Sequence, residues 1–104
     1  PAYGVVIRDM ETSVAAYYTS DTTFRSDIGN IVPDGLLFHD CTFSPHYVGT
    51  VHTHYSELLT LPRSVRARIV LMHHTYVPEG VDVNADGFYG AAMRHETFNL
   101  AEKP

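Results

Sequence analysis

At 104 residues, 44% of them hydrophobic, the chain is long enough for one packed domain, too short for two, and too apolar for a disordered polypeptide. A net charge of −5 with only seven Lys and Arg residues excludes a broad phosphate-binding surface, though not one phosphate held in a pocket. The one cysteine, Cys41, excludes an internal disulfide framework and a Cys-rich zinc knuckle, and fits a reducing, cytoplasmic compartment. No apolar run approaches the roughly 18 residues of a membrane span, so no membrane role is expected. The start, Pro1-Ala2-Tyr3-Gly4, carries no signal-peptide pattern and reads like the middle of a longer polypeptide.

In chain order, Tyr3 to Arg8 and Ser13 to Tyr18 are rich in β-branched and aromatic residues. The turn-like Asp9-Met10-Glu11-Thr12 between them predicts a hairpin. Thr19 to Asp34 is polar and reads as loop, with one helical turn near Arg25. Gly35 to Cys41 holds Leu36-Leu37-Phe38 and predicts a buried strand. Thr42 to Val51 is loop again. Tyr55, Leu58 and Leu59 then fall at helical spacing, with Thr53 as N-cap and Pro62 as terminator. A second turn is expected over Ser64 to Ala67, followed by a buried strand over Ile69 to Met72. Strand, helix and strand over this length imply a right-handed parallel crossover. Gly87 to Leu100 is expected to add an edge hairpin. The class is α/β, with a mixed sheet and outer helices, forming a single domain over residues 1–104.

Seven histidines is a high count, and His52, His54, His73 and His74 fall within one short stretch. Neutral imidazole is a common transition-metal ligand and a general acid or base near neutral pH. His73 stands out because it directly follows a buried strand, where a polar ring needs a partner. If the first half's second strand runs parallel to the later two, Asp21, Asp40 and His73 lie just beyond three carboxyl ends. Open α/β sheets place ligands there. His46, His74 and His95 read as ordinary structural or surface histidines.

Four short segments resemble one family. Tyr18 to Thr22 is similar to the strand followed by Gly-Asp-Thr in ribonuclease Z-like members of the metallo-β-lactamase fold, with Ser20 in place of Gly. His39-Asp40-Cys41-Thr42 resembles their His-Glu-Ala-Thr segment, with Asp for Glu. His52-Thr53 resembles the next His-Ser/Thr segment, and Leu71-Met72-His73 the final Leu-Thr-His. The resemblance spans Tyr3 to Phe88 and implies the C-terminal half of an αββα sandwich. It further implies a two-metal hydrolase, a phosphodiesterase acting on RNA or a (cyclic) nucleotide. By this likeness Asp21 would bridge two zinc or manganese ions and His73 would bind one of them. His52 would protonate the leaving oxygen and Asp40 would orient His52, with His54 a spare for His52.

The family's principal ligand motif, His-x-His-x-Asp-His, is absent from these residues. The missing ligands would come from another chain or an N-terminal segment, and a homo-oligomer is compatible with this. Without them the chain would be inactive. The alternative is a non-catalytic structural or binding subunit. Among other signals, Asp82 to Gly87 matches the start of a calcium loop. Its twelfth position is Met93 rather than Glu, so a polar turn is expected. Cys41 reads as a core residue, and Arg63, Arg66 and Arg68 as a solvated face.

Overall fold

A computed structural model describes residues 4–19, 22–32, 34–44, 52–72 and 77–92. The hairpin forms as its sequence predicts. Strands β1 (Val5–Arg8) and β2 (Ala15–Tyr18) pair antiparallel, Val5 opposite Tyr18 and Arg8 opposite Ala15. Asp9 closes the turn: its carboxylate accepts the N–H groups of Glu11 and Thr12 at 2.8 and 3.2 Å, the local bonding that suits Asp to turns.

Strands β3 (Leu37–Asp40) and β4 (Ile69–Met72) run parallel to β2, with Tyr18 beside Phe38 and Asp40 beside Met72. β5 (Gly90–Ala91) lies parallel to β4, completing a five-stranded mixed sheet in the order β1-β2-β3-β4-β5. The described part of the segment expected as an edge hairpin after Gly87 is this parallel strand. Tyr89 donates to Ile69 O and Ala92 to Leu71 O, so the segment completes β4's ladder before any hairpin turn. The rest of that expected hairpin lies outside the described residues.

Helix is scarce. A 3-10 turn covers Ile28–Asn30, close to the turn expected near Arg25, and two short helices follow, α1 (Tyr55–Leu58) and α2 (Arg63–Arg66). The expected outer helix layer is thus reduced to single turns, because Pro62 cannot continue α1. Pro62 instead precedes α2, which begins one residue earlier than its sequence suggested. The coarse reading, a small α/β domain with a mixed sheet, holds. No helix among the described residues is long and apolar enough to cross a membrane.

The sheet buries both faces. One carries Leu37, Cys41, Ile69 and Leu71 against Ile28, Tyr55, Leu58, Leu61, Val83 and Phe88. The other gathers Ala16, Leu36, Phe38 and Val70. Burial on two sides explains why β3 and β4 read as unbroken apolar runs rather than alternating ones. Gly35 makes the β2–β3 approach possible. It has φ +88°, and a Cβ there would lie 2.1 Å from Ala15 O. Arg68 is not part of a solvated face: half-buried, it donates to the carbonyls of Gly35, Gly29 and Val32 at 3.0, 3.2 and 2.8 Å. It ties the 29–35 loop to the start of β4. Arg66 likewise bonds inward, to the carbonyls of Leu61 and Asp86.

Candidate functional site

Asp40 ends β3 and is fully buried. Its carboxylate accepts from the N–H of Thr22 at 3.1 Å and from the N–H of Thr53 at 3.2 Å, both on Oδ2. Nδ1 of His52 lies 3.1 Å from Oδ1 and 3.2 Å from Oδ2. A carboxylate can only accept, so Nδ1 carries the proton and Nε2 is the nitrogen Asp40 does not hold. The His52 side chain is 37% exposed, which lets a ligand meet the ring. The arrangement is a buried acid fixing the tautomer and orientation of a half-exposed imidazole.

Four threonines, Thr19, Thr22, Thr42 and Thr53, build the support, a role that sequence reasoning missed. Thr19 Oγ1 accepts the N–H of Asp40 at 2.9 Å, and Thr53 Oγ1 donates to Thr22 O at 2.8 Å. Thr42 N donates to Thr53 O at 2.8 Å. These bonds stitch the loop after β2, the end of β3 and the segment before α1 into one rim. Thr53 is therefore not the cap of α1. His54 caps it, its Nδ1 accepting from Ser56 N at 3.0 Å while its own N–H donates to Glu57 at 3.1 Å. That bonding ties His54 Nδ1 to α1 rather than to Asp40. The polar residue immediately before a helical run was the available signal, and it pointed one position too early.

Of the four expected site residues, Asp40 and His52 meet as the sequence suggested. Asp21 and His73, the expected metal ligands, lie outside the described residues. Among the described residues no group of three or more His, Cys, Asp or Glu side chains gathers to hold a metal ion. Asp40, one of the described carboxylates, is occupied by protein donors on both oxygens.

Three other groups settle into structural roles or stay apart. Cys41 is fully buried, and burial pushes its thiol up to about 12, which removes it as a nucleophile. Tyr55 packs between Phe43 and Phe88, ring centroids 4.9 and 5.3 Å away, and its hydroxyl donates to Asp86 at 2.5 Å. With Asp82 accepting from Ala85 N at 3.1 Å, the 82–87 segment is the polar turn expected of it. His39 is the exception. Its Nδ1 lies 2.7 Å from Asp40 O, yet its buried Nε2 has no partner among the described residues. Burial pushes its pKa down, against the pull of Asp40's carbonyl and charge.

Family comparison decides what the geometry leaves open. The anti-Pycsar protein Apyc1 family matches residues 1–98. The chain belongs to that family. An anti-Pycsar protein Apyc1 from Paenibacillus harenae is 34% identical over 77 residues, 71% of this chain and 29% of the relative. Another, from Paenibacillus xerothermodurans, is 29% identical over 90 residues, 83% of this chain and 35% of the relative. The chain thus spans about a third of the length of the curated relatives it matches.

Membership in the Apyc1 family corrects the ribonuclease Z-like, metallo-β-lactamase expectation and, with it, the two-metal zinc hydrolase drawn from that likeness. The physical reason lies in the segments that carried the likeness. Each is only two to five residues long. An Asp or His just past a buried parallel strand is what any ligand-binding sheet rim calls for, whatever the family.

Proposed function

We propose that this chain forms part of an anti-Pycsar protein that counters a cyclic-nucleotide signal of antiphage defence, and that His52 and Asp40 are where the nucleotide's phosphate is met. Family membership supports the first half. The observation that carries the second is the pairing of half-exposed His52 with buried Asp40 through both carboxylate oxygens. An imidazole held this way can take a proton from water at Nε2 and donate it as a hydrogen bond to a phosphate oxygen. Asp40 stabilises the imidazolium that forms. One phosphate at one fixed histidine also suits an acidic chain, which would repel a long polyanion.

The test is titration of the protein carrying these residues with 3′,5′-cyclic mononucleotides, following both bound and remaining nucleotide. His52→Ala is expected to weaken engagement by about ten- to a hundredfold, the range for losing a charge-assisted hydrogen bond, with the fold intact. Undiminished engagement by a folded His52→Ala protein would overturn the assignment.

A further inference from the structure

Next to the His52–Asp40 pair lies a small, partly open cleft walled by Tyr17, Thr19, Thr22, Thr23, Ile28 and His39. His39 is its unusual wall. The ring is fully buried, and its Nδ1 stands 2.7 Å from a carbonyl oxygen. A carbonyl only accepts, so Nδ1 bears the proton. Burial disfavours adding a second one, which leaves Nε2 as a bare lone pair. That lone pair finds no donor among the described residues. Buried acceptors are rarely left so, and this one belongs to a residue that lines a cleft, from which a donor would have to come.

The remaining walls say what kind of donor. Arg25 reaches the cleft, but its guanidinium is engaged by Asp27 through two bonds of 3.1 and 2.9 Å. Thr22 donates its hydroxyl to Thr23 O at 3.1 Å. The cleft is lined by hydroxyls, one aromatic and one aliphatic side chain, which suits a neutral, partly polar ring rather than an ion. Thr22 also connects the two places: its side chain lines the cleft while its N–H bonds Asp40. A ligand with a charged end at His52 and a neutral end in the cleft would span that shared wall.

Building on the reading above, we propose that the His39 cleft takes the neutral part of the cyclic nucleotide, with an N–H or O–H of that part donating to His39 Nε2. The donor is either a base N–H or the sugar 2′-hydroxyl, and the experiment separates them. Binding is measured for the four ribonucleoside 3′,5′-cyclic monophosphates, their 2′-deoxy forms and forms N-methylated on the base. One modification is expected to weaken binding to the wild-type protein about tenfold and to have no effect in His39→Leu. Should His39→Leu fail to fold, ¹⁵N imidazole resonances of the wild-type protein give the answer. The His39 Nε2 signal is expected to move away from the position of an unbonded lone pair when ligand is added. Binding in which neither modification matters, or in which Nε2 does not move, overturns this assignment alone. Binding of none of the four nucleotides overturns it together with the function it rests on.

Discussion

Asp40, with no solvent exposure, grips Nδ1 of His52 with both carboxylate oxygens, at 3.1 and 3.2 Å, across twelve residues of chain. The same carboxylate collects the N–H groups of Thr22 and Thr53. Position and tautomer of the half-exposed His52 ring are therefore set by a group sealed from solvent.

Asp40→Asn separates these roles. The amide oxygen can keep both N–H bonds, but the amide N–H₂ would face Nδ1 and force it to become an acceptor, moving the ring proton to Nε2. A stability loss of about 1–2 kcal/mol, measured by urea unfolding, should accompany at least tenfold weaker engagement of cyclic nucleotide. His52→Ala should cost about 1 kcal/mol or less with the larger functional loss. If the two variants lost stability and function in the same proportion, the division of labour would be wrong.

Gly35→Ala should be among the most damaging single-methyl additions. The backbone there has φ +88°, and the new Cβ would meet Ala15 O at 2.1 Å, against backbone that cannot swing aside. A destabilisation of about 3 kcal/mol or more is expected, read as a lowered Tm. A Gly80→Ala control, which has a similar φ of +86° but nothing within 4 Å, should cost only about 1 kcal/mol.

Alkali should unfold the protein in two stages. Burial raises Cys41 to about 12 and also raises Tyr55, helped by its bond to Asp86. For both groups the folded state holds the proton more tightly than the unfolded chain. Their stability is full at neutral pH and drains once pH passes the unfolded values, near 9 for the thiol and 10 for the phenol. Cys41→Ala should shift the onset of this decline upward, and Tyr55→Phe should flatten the higher part. Tyr55→Phe should also cost about 1.5–3 kcal/mol at neutral pH for the lost bond to Asp86. Unfolding free energies measured from pH 7 to 11 check both.

Acid should act through His39. Its folded pKa is lowered by burial, so below about pH 6.5 the unfolded chain takes up a proton that the folded protein refuses. Stability should fall as pH drops from 7 toward 5, and His39→Gln should flatten that slope. An unchanged slope in the variant would assign the acid sensitivity elsewhere.

Much of the fold is legible in local pattern. β-Branched and aromatic runs around Asp9 gave the hairpin, and the apolar runs 36–38 and 69–72 gave two strands buried on both faces. The helices were less legible, because Tyr55, Leu58 and Leu59 mark a helical face but not its length or its cap. The edge strand at Gly90 could not be read either, since two residues carry no period and their pairing depends on a neighbour far away in sequence. Family was misread from short rim segments whose chemistry many sheets share.

By itself, the sequence determined where four of the five strands lie and that Asp40 falls near the end of one, because burial and periodicity are local consequences of side-chain polarity. Only the tertiary structure decided what Asp40 does. Parallel pairing of β2, β3 and β4 brings Thr22, Asp40 and Thr53 to one rim, and a buried carboxylate must find its donors there. The same packing buried His39 and left its Nε2 without a partner among the described residues, a condition set by neighbours in space that no linear pattern encodes.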